Sequence, residues 1–438
     1  MSYRITVLGT GYLGATHAAC MAELGYEVLG VDLEPAKVAS LNDGHVPFFE
    51  PELEPLLRKH VESGRLRFTT SYEEAAEFGD VHFLCVGTPQ RDGEYAADMS
   101  YVDSAIESLV PLLTRPALIV GKSTVPVGTA SRLADRIAEL APAAPVELAW
   151  SPEFTREGLA VEDTLRPNRL VFGVRSEYAE KVLREVFAPV IDAGSPVVVC
   201  DYATAELVKV GANSFLATKI SYINAMAELC DTTGADVTLL ADALGHDERI
   251  GRQFLNAGLG YGGGCLPKDL RAFMARAGEL GAEEALTFLR EVDAINMRRR
   301  QKVVDVTADV LGNQWIGKRV AVLGAAFKPN TDDIRDSPAL NVAGRIHLHG
   351  AAVSVYDPKA MDNARRSFPT LRYADSVMDA CQGAHVVLHL TAWQEFRELD
   401  PAVLAKTVAT RNVIDGQNCL DRPTWRRAGW HYRGLGRS

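Results

Sequence analysis

The 438-residue chain has no C-x-x-C pair, and its cysteines, Cys20, Cys85, Cys200, Cys230, Cys265, Cys381 and Cys419, are odd in number and widely scattered. That pattern excludes a disulfide framework and a zinc site, so no metal is expected and each thiol is either a buried apolar residue or a reactive one. Also missing is any apolar run of the roughly 18 residues that a membrane span needs. The opening Met-Ser-Tyr-Arg-Ile-Thr-Val-Leu-Gly lacks the basic stretch, apolar core and small-residue cleavage site of a secretory signal. A cytoplasmic location and no membrane partner are expected. Positive charge is in short supply, with 46 Lys and Arg against 57 Asp and Glu and a net charge of -11. The nearest approach to a basic run is Arg298, Arg299, Arg300 and Lys302, too short to track a phosphate backbone, so nucleic acid is excluded as a partner. The same imbalance repels anionic ligands at long range, so an anion site has to be built locally from backbone amides and a few placed cations.

What is present is the grammar of an α/β protein. At about 150 residues per domain the length predicts about three domains. Residues 4–9 read as a buried strand, 12–24 as a helix and Glu27 to Asp32 as a second strand; Val81 to Val86 and Ala117 to Gly121 continue the alternation. Strands alternating with helices predict a parallel, doubly wound sheet. From Tyr202 to Asp231, and again over 284–310, the pattern becomes long and helical, as in a connector layer and subunit interface. Around residue 319 the opening returns: Arg319-Val-Ala-Val-Leu-Gly324 echoes Arg4-Ile-Thr-Val-Leu-Gly9, and Ala352 to Asp357 echoes Tyr26 to Asp32. The fold class is therefore α/β, two Rossmann-like doubly wound domains joined by a central long-helix segment. The boundaries expected are 1–201, 202–301 and 302–438. The second copy has Gly324-Ala-Ala-Phe327 where the first has Gly9-Thr-Gly-Tyr-Leu-Gly14, so it should keep the fold without binding a dinucleotide in the same way.

Gly9, Gly11 and Gly14 form G-x-G-x-x-G between a strand and a helix, around Tyr12 and Leu13. Such a turn brings backbone to a pyrophosphate at a helix N-terminus, and Asp32 at the end of the next strand can accept from both ribose hydroxyls while repelling a 2′-phosphate. NAD is the expected cofactor. Lys37 lies either near the adenosine ribose or on a solvated helix. Val86-Gly-Thr88-Pro and Lys122-Ser123-Thr124-Val-Pro each follow a strand, where open sheets place ligands; alone, each is equally an ordinary loop. The densest motif is Gly258-Leu-Gly-Tyr261-Gly262-Gly-Gly-Cys265-Leu-Pro-Lys268-Asp269, whose glycines leave amides free to approach a ligand and whose cysteine reads as presented rather than packed. Lys209 and Asn213, four apart, share one face of the long helix; from spacing alone Lys209 is a snorkelling surface lysine. Glu153 and Glu157, also four apart, read as the acidic first turn of a helix.

Together, Gly9 to Gly14, Phe49-Glu-Pro51, Ser151-Pro-Glu-Phe154, Lys209-Val-Gly-Ala-Asn213, Arg249-Ile-Gly251, Gly258 to Asp269 and Ala326-Phe-Lys-Pro329 resemble the nucleotide-sugar 6-dehydrogenase family. The resemblance runs from the first strand almost to the end. It implies oxidation of a sugar C6 alcohol to the carboxylate with two NAD, in which the Cys265 thiolate adds to the aldehyde and a thioester is later hydrolysed. It implies that Lys209 and Asn213 stabilise oxyanions, that Lys209 shares in proton transfer, that Glu153 does acid/base work on the water or the adduct, and that Asp269 orients Lys209 and water. Glu157, Thr88, Ser123, Thr124, Lys268 and Arg335 fall where the family contacts NAD, beside Val86, Asp32, Lys37 and the fingerprint. Phe254, Asn256, Gly262, Phe327 and Lys328 fall at the nucleotide sugar, with Glu153, Phe154, Lys209, Asn213, Gly258 and Tyr261. Arg249 matches an arginine that reaches the neighbouring subunit's site, which implies a homodimer or higher oligomer. Arg249-Ile-Gly251 favours UDP-glucose as substrate; the alternative is the same chemistry on GDP-mannose, dTDP-glucose or a UDP-N-acetylhexosamine. A binding protein that has lost the chemistry is the reading from another class, and the intact Cys265, Lys209, Glu153 and Asp269 argue against it. Two departures stand out: Asp415-Gly-Gln417 where relatives read Asp-Gly-Arg, and Gly264 where they often carry serine or alanine.

Overall fold

The structure, a computed structural model, describes residues 3–437. It forms two compact units: the chain up to Ala212 with Arg271–Gly281, and Asn213–Leu270 with Ala282 onward.

In the first unit eight short strands form one sheet: β1 (Arg4–Leu8), β2 (Glu27–Val31), β3 (Leu66–Thr69), β4 (Val81–Leu84), β5 (Ala117–Gly121), β6 (Val146–Trp150), β7 (Leu170–Gly173) and β8 (Val197–Cys200), in the order β3-β2-β1-β4-β5-β6-β7-β8. The first six run parallel; β7 joins β6 antiparallel through Trp150 and Gly173, and β8 follows β7 in parallel. Strands β4 and β5 are buried throughout, which is why they read as unbroken apolar runs instead of alternating ones. One face packs Ile5, Val7, Phe83 and Val120 against the alanine-rich helix Tyr12–Glu23; the other packs Leu8, Ile119 and Trp150 against Ser100–Leu109. Chain order reverses between β1 and β4, and an open parallel sheet offers its ligand crevice beyond the carboxyl ends at that reversal.

Two buried carboxylates close helix ends in this unit. Glu50 accepts from the amides of Gly158 and Ala160 at 2.7 and 2.8 Å, at the start of the short helix Ala160–Leu165. Glu206 does the same for Gly128 and Ala130, both at 2.7 Å, at the start of Thr129–Leu140. Each satisfies amides that a helix terminus leaves without partners.

The second unit holds six strands: β9 (Arg319–Leu323), β10 (Ala352–Tyr356), β11 (Arg372–Tyr373), β12 (Val386–His389), β13 (Asn412–Asp415) and β14 (His431–Gly434). Their order, β11-β10-β9-β12-β13-β14, all parallel, repeats that of the first six strands of the chain. The repeat seen in the sequence is thus a repeat of topology. The loss of the glycine turn has a physical counterpart. Asp357, at the position equivalent to Asp32, is buried, and its Oδ2 accepts from the amides of Ala325 and Ala326 and from Trp393 Nε1 at 2.8 to 3.0 Å, while Oδ1 accepts from Lys359 and Ala360. Asp357 is only 1% exposed beneath these donors, against 12% for the Asp32 side chain, so it is closed to a ribose by burial. At the ends of β12 and β13, His389, Asp415 and Cys419 come together. Asp415 already accepts from His389, Gln417, Leu420 and Tyr432, so the cluster is a hydrogen-bonded core network.

The helix Tyr202–Thr233 runs 32 residues from the first unit's chain into the second's, and Thr287–Val310 is the second long helix, preceded by a 3-10 turn at Glu283–Leu286. No helix among the described residues is long and apolar enough to cross a membrane. Glu206→Ala, which leaves the Gly128 and Ala130 amides buried without acceptors, is expected to cost about 2–4 kcal/mol, read as a lowered first thermal transition with the second unchanged.

Candidate active site

In the first unit the three fingerprint glycines differ in what surrounds them. A Cβ on Gly14 would overlap the Gly9 carbonyl, so this glycine serves helix-to-strand packing, whereas nothing lies within 4 Å of a Cβ on Gly11. Bare backbone facing open space at the start of the helix Tyr12–Glu23 is what a diphosphate needs. Tyr12 packs against Phe48 with the rings tilted by 33° and 4.1 Å between their centres, and Leu13 packs at the edge of the core. Asp32, one residue beyond β2, accepts from the amide and hydroxyl of Thr10, both at 3.0 Å, and from Lys37 at 3.1 and 3.2 Å. Burial alone pushes its carboxyl up, but these donors and the Glu34 amide together hold it below the usual range, so it stays an anion. Lys37 also reaches Glu34 at 3.3 Å; it is the counter-charge of Asp32, not a freely solvated residue.

The loops beyond β4 and β5 are tied to each other. Ser123 Oγ donates to the Val86 carbonyl at 2.7 Å and Thr88 Oγ1 to that of Thr124 at 2.8 Å. Beyond β6 the acidic pair does not share a helical face: residues 151–156 have no regular structure and the helix begins only at Ala160. Glu153 instead turns back on its own loop, its Oε1 accepting from the Phe154 and Thr155 amides at 2.8 and 3.1 Å, while its Oε2 meets Lys122 Nζ at 3.1 Å. Glu157 lies half-buried in the same loop. The Lys209 ammonium stands 5.5 Å from the centre of the Phe154 ring, which Arg169 also covers at 3.8 Å.

In the second unit Cys265 is exposed and immediately precedes the helix Leu266–Glu279, whose positive end favours an anion there. One turn on, Asp269 is buried; its amide donates to the Cys265 carbonyl at 2.8 Å. Its two carboxylate oxygens accept from Asn213 Nδ2 at 2.7 Å and Lys268 Nζ at 2.6 Å. Asn213, Lys268 and Asp269 are therefore one network at the base of the cysteine.

The glycine-rich run serves packing more than the sequence reading expected. A side chain on Gly258, Gly260, Gly262, Gly263 or Gly264 would strike Gly416, Asn296, Asp336, Phe327 or Arg335 respectively. The amides of Gly258, Tyr261 and Gly263 are not free for a ligand, since they donate to Asn224, Asn296 and the Arg335 carbonyl at 2.9, 2.7 and 2.9 Å. Gly264 has a specific reason: the Arg335 guanidinium, itself bound to Asp333, lies directly over it. Lys328 stands 5.4 Å from the ring centre of Phe327. Phe254 takes a left-handed φ of 64°, a conformation that costs a bulky residue about 1–3 kcal/mol and is concentrated at binding sites. Asn256 is exposed and accepts from Arg252 at 2.8 Å; the Arg249 side chain is 89% exposed and pairs with Asp247.

Several residues of this arrangement escape sequence reading. Asn224 and Asn296 hold the glycine run from two helices, and Arg299 and Arg300, part of the one short basic run, are fully buried and donate to Gly258 and Asp336. Their only signal is a polar residue among apolar helix neighbours. Lys122, 4% exposed, is the other omission.

A glycine turn followed by an anionic aspartate at the end of the next strand, a second Rossmann-like sheet stripped of that turn, and a presented cysteine on an anchored helix define an α/β oxidoreductase that uses NAD. Residues 3–191 match the NAD binding domain of the UDP-glucose/GDP-mannose dehydrogenase family, 203–298 its central domain and 321–422 its UDP binding domain. The chain is 40% identical over 436 residues to UDP-glucose 6-dehydrogenase of Rhizobium meliloti, covering 99% of both chains, and 37% identical to that of Bacillus subtilis, covering 99% of this chain and 97% of the relative. It is similar to a UDP-glucose dehydrogenase structure from Pyrobaculum islandicum, with a TM-score of 0.92, 37% identity and coverage of 100% and 98%, and to a UDP-D-ManNAc dehydrogenase structure from Pyrococcus horikoshii, with 0.87, 28% identity and coverage of 99% of each. The chain belongs to the UDP-glucose/GDP-mannose dehydrogenase family. From Asp32, NAD is expected to outperform NADP in kcat/KM by on the order of 100-fold, and Asp32→Ala to bring that ratio below about tenfold, measured as initial rates with each cofactor.

Proposed function

We propose that this enzyme oxidises the C6 alcohol of UDP-glucose to the carboxylate of UDP-glucuronate, through a thiohemiacetal and a thioester on Cys265. The observation that carries the reading is the exposed thiol at a helix N-terminus, beside an amide and an ammonium group that one buried carboxylate holds in place. An alcohol can give up one hydride with only a base nearby, but passing beyond the aldehyde needs a tetrahedral adduct, and a thiolate supplies one. NAD, when bound, supplies the hydride acceptor for each oxidation. The open backbone at Gly11 would hold its diphosphate and Asp32 its ribose, with Gly9 and Gly14 shaping the turn.

In this reading Asn213 and Lys209, four residues apart on one helix, stabilise the alkoxide and the adduct oxyanion, and Lys209 shares in the proton transfer. Asp269 fixes the Asn213 amide and Lys268, so those donors do not reorganise as charge develops. Glu153 accepts from the water that releases the acid. Phe254, Asn256, Tyr261, Phe327 and Lys328 bind the nucleotide sugar.

UDP-glucose is favoured by the activities of the relatives named above and by Arg249-Ile-Gly251. Gln417, where relatives carry arginine, donates its side-chain amide inward to the Leu390 carbonyl at 2.6 Å, so the diphosphate relies on other cations. A homodimer is supported by the long helix, on which Phe215, Tyr222 and Leu229, each seven residues from the next, are all exposed and form an apolar seam. Arg249 extends from the surface as a residue that serves a neighbouring copy would.

Turnover of a panel of nucleotide sugars, with NADH counted per sugar consumed, is expected to give two NADH with UDP-glucose and the highest kcat/KM for it; strong turnover of another sugar with none of UDP-glucose would refute the assignment. Cys265→Ser is expected to abolish release of free acid with thermal stability unchanged, and acid formed at the wild-type rate would exclude the thioester route.

A further inference from the structure

Lys122 is the first residue past β5 and Glu153 the third past β6. The register pairs Gly121 with Trp150, and the Glu153 amide donates to the Lys122 carbonyl at 3.3 Å, so the two side chains leave neighbouring strand ends together. Lys122 Nζ lies 3.1 Å from Glu153 Oε2, with only 4% and 14% of the two side chains exposed. The other carboxylate oxygen is held by two amides of its own loop. Behind the ammonium is an aromatic wall, with the Phe187 ring centre 5.7 Å away. Beside the pair, on the helix Tyr12–Glu23, His17 is buried with neither ring nitrogen hydrogen-bonded. A charge this well removed from water persists only when matched, so each member of the pair fixes the other.

We infer that Lys122 is a positioning residue of the reaction: by gripping Oε2 it holds the Glu153 carboxylate in one place and in one charge state, as a standing acceptor for the hydrolytic water. This rests on the proposed role of Glu153. In the step concerned the water oxygen bonds the thioester carbon and the carbon–sulfur bond breaks with its electron pair left on sulfur. One water proton goes to that sulfur and the other, by way of Glu153, to solvent. No oxidation or reduction is involved.

The groups facing Glu153 are Lys122, His17 and Cys20 from the first helix, and Cys85 just past β4. His17 is driven down to about 3, first by burial and then by Lys122, and is neutral at working pH. Cys20 and Cys85 are pushed up by burial, Cys85 to about 12, and remain thiols. Lys122 is thus the one charged neighbour among them. Burial alone would raise the Glu153 carboxyl; Lys122, with the loop amides, holds it below the usual range. Without the cation, burial prevails and the carboxylate takes up a proton at higher pH, so acid release should fail as pH drops through that raised value.

Two readouts test this. In the substrate-free protein, the infrared carboxyl band of Glu153, isolated by subtracting Glu153→Gln, should titrate at least about one pH unit higher in Lys122→Met than in the wild type, with Lys122→Arg returned to the wild-type value. In turnover with UDP-glucose and NAD, Lys122→Met should lose about tenfold in kcat at the acid end and little above neutrality, with the KM for UDP-glucose unchanged and Lys122→Arg rescuing. An infrared titration identical in Lys122→Met and wild type, or a kcat loss equal at every pH, overturns the inference. A wild type inert with UDP-glucose would defeat the proposed function while leaving the infrared result to decide the pairing. Should Lys122→Met not fold, the neutral double variant Lys122→Met with Glu153→Gln is expected to fold, and its failure to do so also overturns the inference.

Discussion

The cysteine stands where it does because five glycines before it pack where a side chain would strike a neighbour. From Gly258 to Gly264 the chain runs against Gly416, Asn296, Asp336, Phe327 and Arg335, and a Cβ at any of five positions would have to displace one of them. The contacts fix the path of the loop, and the path ends at the first turn of Leu266–Glu279 with Cys265 outermost. Two buried asparagines, Asn224 and Asn296, convert steric fit into a single register by taking the loop amides at Gly258 and Tyr261. Loose packing there would let the thiol wander by more than the few tenths of an ångström that a nucleophile tolerates.

A second regularity is the use of carboxylates as internal acceptors. The chain is acidic, yet several of its acids do not contribute to a repelling surface: Glu50 and Glu206 close helix ends, Asp269 anchors Asn213 and Lys268, and Asp415 gathers four donors. Asp32 and Asp357 occupy equivalent positions in the two repeats and differ in what they hold. In the first repeat the donors are one threonine, one further amide and a lysine; in the second they are four amides and a tryptophan, all of the chain itself. The same topology leaves this carboxylate partly exposed in one copy and buries it in the other. The cations near the cysteine are held locally: Lys268 and Arg335 are each tethered by an aspartate.

Much of the architecture was legible because local patterns carry it: the apolar strand runs, the glycine turn, the proline-free long helix and the recurrence at residue 319 all depend on near neighbours. The repeat order of the two sheets follows from that recurrence. What was not legible depends on partners far along the chain. Glu50 meets its amides 108 and 110 residues away, Asn224 its amide 34 away, and Arg299 its carbonyl 41 away, and no periodicity records such pairings. The helical spacing of Glu153 and Glu157 misled for a different reason: Glu153 accepts from the next two amides and bends the loop, so the helix starts later, at Ala160. Lys122 was visible only as part of a loop motif, because its burial follows from the sheet register that sets it beside Glu153.

The most direct test of the central claim, that this cysteine carries the sugar through its second oxidation, is acid quenching during steady-state turnover with UDP-glucose and NAD, followed by mass spectrometry of the peptides. The account predicts a sugar-nucleotide acyl adduct on Cys265 and on none of the other six cysteines, increased when hydrolysis is slowed by Glu153→Gln. Turnover with no adduct on Cys265 in that variant, or an adduct on a different cysteine, would contradict it.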